Sequence, residues 1–460
     1  MPMLPPTVTI PLRRANYGDQ RDDSEYLFNP EVLSADLVGS VPNGFVVRPL
    51  KISDYDNGFL DVLSQLTVVG EVSREDFENR FKSMKMCYPP SYYVVVIENL
   101  SDGRVVGAAT LVVEWKFIHQ AGCRGRVEDV VVDKEMRGKK MGGLLNKVLV
   151  ALAKKLGVYK LSLECKDSLI PFYGLYGYVK DDGNNFLVQR FDKDNGEIVI
   201  PFEDESDDGK FFIPTDNYFD ICFEILASLF GIVRNEFFKI GIRTMPMLPS
   251  TVTIPLHRAE YGDQGEESEY LFDPEVLSAD LLGTVPNGFV VRPLKISDYD
   301  TGFLDVLSQL TVVGEVSREA FESRFKSMKM CYPPSYYVLV IENLNNGRVV
   351  GAATLVIEWK FIHQAGCRGR VEDVVVDKEM RGKKMGGLLN KLLVELAKKI
   401  GVYKLSLECK DSLIPFYELY GYSKDILNNF LVQRFDKDDE IVVPLEDENE
   451  DGTLFIPSSL

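Results

Sequence analysis

The sequence has few of the residues that bind metal ions or form disulfide frameworks. Of its 460 residues, 7 are cysteines and 3 are histidines. The cysteines form no CxxC pair and no Cys/His spacing of the kind that zinc requires, and such scattered cysteines are typical of a reducing compartment. The first ten residues contain three prolines and no basic stretch followed by an apolar one, which argues against a secretory signal. We therefore expect a cytoplasmic protein without a metal.

The chain also lacks an excess of positive charge. With 52 basic and 70 acidic residues, its net charge is −18, and such a chain repels a nucleic acid backbone. Nucleic acid is therefore not expected as a partner, and an anionic ligand needs a local basic pocket. The hydrophobic share of 45% and the charged share of 27% are close to the average of globular proteins, which excludes a wholly disordered chain.

The chain is a tandem repeat of two nearly identical copies. The opening MPMLPPTVTIPLRRANYGDQ returns from Met245 as MPMLPSTVTIPLHRAEYGDQ, an offset of 245 − 1 = 244 residues. Between 1–190 and its counterpart 245–434, about 23 positions differ, so both copies must have the same fold. We predict a first domain over 1–214, a unique linker over 215–244 and a second domain over 245–460.

The unique segment between the copies contains a short apolar stretch. This stretch, 221–233, carries Glu224 and is shorter than the about 20 residues of a membrane span, so we expect no transmembrane helix. An amphipathic linker helix packed on a domain is one interpretation. Translated non-coding sequence joining two neighbouring genes is another, since the second copy begins at a methionine.

The hydrophobic pattern of the first copy alternates between strands and helices. It predicts strands over 44–50, 92–99, 105–117, 126–133, 158–165 and 186–191, and helices over 53–67, 73–86, 144–156 and 169–175. Ser73 is placed as a helix cap, and Gly157 is placed as a helix stop. The order βααβββαβαβ predicts an α/β (α+β) fold, a mixed central sheet flanked by helices.

A basic, glycine-containing loop lies where a predicted strand ends and a helix begins. It reads RGKKMGG, from Arg137 to Gly143. Glycines let backbone N–H groups approach a pyrophosphate, and a helix N-terminus with basic neighbours attracts its charge. The loop matches neither a dinucleotide-binding nor a Walker fingerprint, so a basic turn without a ligand is the alternative.

Two adjacent acids, Glu128 and Asp129, interrupt the otherwise apolar strand VEDVVV. Neighbouring strand residues face opposite sides, so one carboxylate points toward a cleft or the core unless a bulge redirects it. A buried acid without a partner is unfavourable, which favours a functional role for at least one of them. The basic residues just upstream, in 116–119 and 124–126, either hold a phosphate or form a solvated hairpin end.

Five motifs follow one another in the order found in a known superfamily. They are KFIH, RGRVEDVVV, RGKxxG, YKLSLEC and FYxxYGY, within residues 27–191 and again within 271–435. With them, the chain resembles the GNAT superfamily and, within it, the glucosamine 6-phosphate N-acetyltransferases. The general superfamily loop has glycine where Lys140 stands, a departure that this family tolerates. The resemblance implies two GNAT-like domains and transfer of the acetyl group of acetyl-CoA to the amine of D-glucosamine 6-phosphate, by direct attack in a ternary complex and for UDP-N-acetylglucosamine biosynthesis.

The resemblance also implies roles for individual residues in both copies. Acetyl-CoA would be held by Val130, Val131, Val132, Arg137, Gly138, Lys139, Lys140, Met141, Gly142 and Glu164, and in the second copy by Val374, Val375, Val376, Arg381, Gly382, Lys383, Lys384, Met385, Gly386 and Glu408. The sugar phosphate would be held by Thr67, Lys116, Phe117, Ile118, His119, Tyr159, Lys160 and Arg190, and by Thr311, Lys360, Phe361, Ile362, His363, Tyr403, Lys404 and Arg434. The implied catalytic residues are Tyr173, Asp129 and Glu128, with Tyr417, Asp373 and Glu372. Tyr173 would protonate or hydrogen-bond the departing CoA thiolate, and backbone groups around Asp129 and Val130 would orient the amine and polarise the acetyl carbonyl.

Dimers of this family share their sites, so the resemblance implies an intramolecular pseudo-dimer, or otherwise a homodimer. The first copy would supply Tyr159, Lys160 and Arg190 to the sugar site of the second copy, and the equivalent residues of the second copy would complete the first. Neither copy has lost an implied residue, so both are expected to be active. Two alternatives stay open: a GNAT enzyme for another amine, such as a polyamine or a protein lysine, and a non-catalytic acetyl-CoA-binding module.

Overall fold

Two seven-stranded mixed sheets form the frame of the molecule, one for each copy. The computed structural model describes residues 25–181, 184–191, 269–277, 282, 285–425 and 428–435, and both copies belong to one compact unit. The unique segment 215–244 and the predicted domain boundaries lie outside the described residues. No helix within these ranges is long and apolar enough to cross a membrane.

The strands of the first copy follow the predicted pattern closely. They are β1 (Phe45–Pro49), β2 (Tyr92–Asn99), β3 (Val105–Trp115), β4 (Cys123–Val132), β5 (Val158–Cys165), β6 (Val179–Lys180) and β7 (Asn184–Arg190). The second copy has β8 (Phe289–Pro293), β9 (Tyr336–Asn343), β10 (Arg348–Trp359), β11 (Cys367–Val376), β12 (Lys404–Lys410), β13 (Ser423–Lys424) and β14 (Asn429–Arg434). Strands β2 and β3 are buried along most of their length, as expected of strands covered on both faces.

The two copies exchange their last strands. The sheet orders are β1-β2-β3-β4-β5-β14-β6 and β8-β9-β10-β11-β12-β7-β13, so each sheet contains one strand of the other copy. Within the antiparallel pairs, Arg434 lies opposite Lys160 and Arg190 lies opposite Lys404. The rings of Phe186 and Phe430 stack between the exchanged strands at 6.2 Å. The copies are therefore interlocked by backbone hydrogen bonds as well as by side-chain packing.

The helices flank the sheets, and all but the shortest of them contain buried residues. They are α1 (Ala35–Val38), α2 (Phe59–Ser64), α3 (Arg74–Lys85), α4 (Met141–Lys155) and α5 (Ile170–Gly174) in the first copy, and α6 (Phe303–Ser308), α7 (Arg318–Lys329), α8 (Met385–Ile400) and α9 (Ile414–Glu418) in the second. Helix α4 buries Leu145, Leu149 and Leu152 completely, and each such side chain contributes about 1.5–3 kcal/mol.

Two of the predicted helix boundaries were wrong. The single helix expected over 53–67 is divided into a 3₁₀ helix, Ile52–Tyr55, and α2, because Gly58 between them adopts a left-handed φ of 85°. Helix α4 begins at Met141, three residues earlier than Leu144. The predicted start of α3 is confirmed, since the Ser73 side chain caps it by accepting a hydrogen bond from the backbone N–H of Asp76. Gly157, with φ 72°, follows α4 as expected.

Candidate functional site

A β-bulge in β4 brings both neighbouring carboxylates to the same side. Ala108 pairs with Val131 and Thr110 pairs with Glu128, so two residues of β4 lie opposite one residue of β3. Asp129 takes a left-handed φ of 56° there, a conformation that is unfavourable by about 1–3 kcal/mol for a residue other than glycine. Alternation would have separated Glu128 from Asp129, and the bulge removes that separation.

Both carboxylates contact a lysine of the other copy. The Nζ atom of Lys360 lies 3.2 Å from Glu128 Oε2 and 3.4 Å from Asp129 Oδ2. Its side chain is only 3% exposed, so water screens its attraction to the two carboxylates much less than it screens a surface pair. The first copy therefore presents its two acids to the second copy rather than to bulk solvent.

The two acids differ in their protonation behaviour. Burial disfavours ionisation of Glu128, but Lys360, Arg368 and Arg126 outweigh it and hold the pKa of Glu128 well below its usual range. Burial and the neighbouring Glu128 carboxylate raise the pKa of Asp129, although Lys360 opposes this shift. Such a divergent pair is a frequent feature of acid–base sites.

The second copy contributes an aromatic and basic wall to the same place. The His363 ring lies 4.2 Å from the Tyr403 ring, and the Nζ atom of Lys404 lies 3.3 Å from Glu164 Oε2. The backbone N–H of His363 donates to the carbonyl of Val68, at 3.2 Å, one residue after Thr67. Burial lowers the pKa of His363, with Asp129 opposing this shift, so the imidazole is neutral at pH 7.

Because of the strand exchange, Arg190 and Arg434, the last residues of β7 and β14, lie in other sites than expected. Arg190 was expected with Tyr159 and Lys160 in the site of the second copy. Instead it lies opposite Lys404, and both contact Asp425, at 3.3 and 3.9 Å. The reason is that β7 leaves its own sheet and pairs with β12. Arg190 therefore lies in the first site, and Arg434 lies in the second.

We call the group around the acids of the first copy the first site, and its counterpart the second site. The first site consists of Thr67, Glu128, Asp129, Glu164, Tyr173 and Arg190 of the first copy, with Lys360, His363, Tyr403 and Lys404 of the second. In the second site, the Nζ atom of Lys116 lies 3.3 Å from Glu372 and 3.4 Å from Asp373. His119 stacks on Tyr159 at 4.1 Å, and Lys160 lies 3.4 Å from Glu408.

The basic loop forms the entry to α4. Gly138 and Lys140 both adopt left-handed conformations, with φ of 82° and 56°, and the side chains of Lys139 and Lys140 are exposed. The first N–H groups of a helix have no partner within the helix and attract an anion. A Cβ atom on Gly143 would lie 2.1 Å from the Tyr176 hydroxyl, so a larger residue there requires the tyrosine or the helix start to shift. The loop and helix end suit a pyrophosphate.

Tyr173 lies on α5, next to the helix that follows the basic loop. It is 7% exposed, and its ring packs edge-on against Phe172 at 5.1 Å and Tyr178 at 5.9 Å. Burial raises the pKa of Tyr173, with added repulsion from Cys165 and Glu128. Its hydroxyl therefore keeps its proton at neutral pH, which a proton donor requires. Tyr417 has the same environment in the second copy.

Some residues implied for the sugar pocket and the cofactor are in the interior instead. Phe117 packs against Phe303 and Phe321 of the other copy, at 5.3 and 4.9 Å, and Phe361 does the same in reverse. The other buried apolar members of the implied sugar and cofactor sets are Ile118, Ile362, Val131, Val132, Val375, Met141 and Met385. These side chains form the core, so only their backbone groups are suited to contact a ligand.

Arginines behind the acids were missed as a functional group. Arg126 is fully buried, 2.8 Å from Glu128 and 2.5 Å from Glu164. It also lies 3.2 Å from Glu358 of the other copy. Arg124 and Arg126 therefore neutralise carboxylates. They are not placed to hold a phosphate and do not form a solvated hairpin end, which were the two roles considered from the sequence. The available signal was their position four and two residues before Glu128, because residues separated by an even number of positions share one face of a strand.

A family model matches both copies, and individual relatives each match about one third of the chain. The family model "Acetyltransferase (GNAT) family" matches residues 61–178 and 307–422. A probable glucosamine 6-phosphate N-acetyltransferase of Drosophila melanogaster is 51% identical over 32% of this chain and 67% of its own length. The glucosamine 6-phosphate N-acetyltransferase of Candida albicans is 40% identical over 33% of this chain and 99% of its own length. The crystal structure of the Arabidopsis thaliana enzyme of that name shows 36% identity, a TM-score of 0.30 and coverage of 33% of this chain and 99% of that one.

Proposed function

The chain belongs to the acetyltransferase (GNAT) family, and on that premise we propose that it transfers the acetyl group of acetyl-CoA to the amine of D-glucosamine 6-phosphate. The names of its relatives support this substrate. The observation that carries it is the mixed first site, where two acids of one copy meet Lys360, His363 and Lys404 of the other. Such a site offers carboxylates to an amine and cations to a phosphate.

Acetyl-CoA fits the basic loop and the start of α4. The N–H groups of Met141 and Gly142, with Arg137, Lys139 and Lys140, would hold its pyrophosphate. The backbone of Val130 to Val132, next to the bulge, would bind the pantetheine arm along the strand. The bound thioester supplies the acetyl group, and the bulge leaves N–H groups near Asp129 and Val130 that are suited to polarise its carbonyl.

The two acids would orient the amine and receive its proton. Asp129 has a raised pKa, which makes it the better base of the pair, while Glu128 stays ionised beside Lys360. Proton transfer by a placed group contributes about 10²- to 10⁴-fold to a rate. Tyr173 would donate its proton to the departing thiolate, since its raised pKa keeps the hydroxyl protonated.

In the first site, the sugar phosphate would be bound by the basic wall of the second copy together with Arg190 of the first copy. Lys404 is held near the acids by Glu164, and Arg190 lies beside it. Arg190 is 55% exposed, so its guanidinium is accessible to a phosphate that enters from solvent. Thr67 and His363 would line the remaining side of the pocket.

One chain would therefore form both of its sites as an intramolecular pseudo-dimer. The described parts of the two copies are joined by residues 192–268. A tether within one chain gives an effective concentration of up to about the millimolar range, so we expect closure within the chain to outcompete pairing between chains. We further propose that the reaction takes place in the cytoplasm, where the product enters UDP-N-acetylglucosamine biosynthesis. The six described cysteines are all free thiols, in keeping with a reducing compartment.

A thiol-release assay with three acceptors tests the substrate. We expect CoA release with glucosamine 6-phosphate to be much faster than with glucosamine or spermidine, because the phosphate contacts position the amine. Equal rates on the two sugars would contradict the assignment, and a faster rate with spermidine would favour another amine. Binding of acetyl-CoA without turnover of any acceptor would indicate a non-catalytic module.

A further inference from the structure

Each site depends on a strained loop that reaches across to the other copy. We define the His363 loop as residues 361–366 and the His119 loop as residues 117–122. In the His363 loop, three consecutive residues have left-handed φ angles: His363 at 53°, Gln364 at 60° and Ala365 at 49°. None of them is glycine, so the surroundings must hold this conformation.

Backbone contacts with the first copy hold one side of the His363 loop. The N–H groups of His363 and Gln364 donate to the carbonyls of Val68 and Val69, at 3.2 and 2.7 Å. Gly70 follows directly, and a Cβ atom there would lie 2.8 Å from the Gln364 side chain. The loop therefore rests directly on the segment that follows Thr67.

The other side of the loop is held by Arg80, on α3 of the first copy. Its Nη2 donates to the carbonyls of Ala365 and Gly366. Its guanidinium also lies 4.6 Å from the centre of the Trp359 ring, just before Lys360. Arg80 thus contacts the chain before and after Lys360 and His363, the two residues that enter the first site. Within the described residues it forms no ion pair, so carbonyls and a ring are its partners.

Arg324 repeats this arrangement in the second copy. Its Nη2 donates to the carbonyls of Ala121 and Gly122, and its guanidinium lies 4.5 Å from the Trp115 ring. The arginine of the first copy therefore serves the loop of the first site, and the arginine of the second copy serves the loop of the second site.

We propose that Arg80 and Arg324 are positioning residues, each holding in place the loop through which the other copy completes a sugar-phosphate pocket. Arg80 touches neither the acids nor the basic loop of the cofactor site, and it acts through Lys360 and His363. Its loss would therefore weaken binding of the sugar phosphate in the first site only. This inference rests on the proposed function for its substrate, and the contacts themselves do not depend on it.

The tandem chain provides a matched control for the test. In a Tyr417→Phe background, in which only the first site is fully equipped, Arg80→Ala and Arg324→Ala remove the same side chain from equivalent environments. We expect Arg80→Ala to raise KM for glucosamine 6-phosphate by about tenfold to a hundredfold, with KM for acetyl-CoA unchanged. Arg324→Ala leaves both values unchanged, and Arg80→Lys recovers part of the loss. Equal effects of the two alanine variants, or a matching rise in KM for acetyl-CoA, would overturn the proposal.

Hydrogen–deuterium exchange measures the loops without reference to any substrate. Arg80→Ala should accelerate exchange in the His363 loop and not in the His119 loop, and Arg324→Ala should do the reverse. The loops have the same sequence, but peptides that include Val113 or Ile357 identify the copy. If the unmodified chain had no activity with glucosamine 6-phosphate, the proposed function would be contradicted and the positioning role would not. Unchanged exchange in both variants would contradict the positioning role alone.

Discussion

Lys360 of the second copy directs its ammonium group at Asp129 of the first, with 3.4 Å between Nζ and Oδ2. In this contact, the candidate base Asp129 belongs to the first copy and the cation Lys360 belongs to the second copy. Asp129 has a raised pKa because it is buried next to Glu128. Asparagine has nearly the same shape as aspartate but does not accept a proton, so Asp129→Asn removes the base alone.

The double variant Asp129→Asn with Asp373→Asn should lower kcat by about 10²-fold or more, as expected for loss of a general base. KM for acetyl-CoA should change little, since the basic loop is untouched. Steady-state kinetics on both substrates measures this, and circular dichroism confirms folding. A variant that retains the full kcat would remove these residues from the mechanism.

Replacing Tyr173 and Tyr417 together by phenylalanine should lower kcat more than it raises either KM, because a proton given to the thiolate matters mainly in the transition state. We expect a decrease of about 10²-fold. Tyr178→Phe with Tyr422→Phe is the control, since these tyrosines are buried behind the first pair. A decrease of the same size in the control would indicate a packing effect rather than proton donation.

The double variant Gly143→Ala with Gly387→Ala should raise KM for acetyl-CoA. The added methyl groups would lie 2.1 Å from the Tyr176 hydroxyl and 2.0 Å from the Tyr420 hydroxyl, so the helix start or the tyrosine must move. Gly174→Ala is the control, because no atom lies within 4 Å of its Cβ position and the second copy carries Glu418 there. An unchanged KM in the first variant would argue against cofactor binding at this helix end.

Acid should destabilise the buried ion network through Glu164. Burial opposes its ionisation, but Arg368 and Arg126 lower the pKa of Glu164 to about 2. A lowered pKa contributes stability that is complete above the ordinary value near 4.5 and is lost as the pH falls toward 2. Glu164→Gln should therefore destabilise the protein by about 3–5 kcal/mol at pH 7 and by clearly less at pH 3. Thermal unfolding measures this, with Glu78→Gln as the control, since Glu78 is a half-buried carboxylate at the surface, paired within the described residues only with cations of its own helix. If Glu164→Gln lowered the free energy of unfolding equally at both pH values, this explanation would be contradicted.

The sequence allowed most of the fold to be predicted, but not how the copies pair. The strands, the Ser73 cap and the acids in β4 follow from local patterns and motifs. The strand exchange does not follow from them. The exchanged strands have the same sequence, NNFLVQR, at 184–190 and at 428–434, so the sequence of a strand does not indicate which of the two sheets it joins. The bulge at Asp129 and the roles of Arg80 and Arg126 depend on contacts distant in sequence, which periodicity does not reveal.

In the proposed mechanism, each site combines the acids and tyrosine of one copy with the basic wall of the other. The activity of two double variants tests this pairing, each combining Tyr173→Phe with one lysine change. Lys404→Ala falls in the same site as Tyr173→Phe, so about half of the activity should remain. Lys160→Ala falls in the second site, so most of the activity should be lost. Equal activity of the two double variants, or the reverse order, would contradict this pairing.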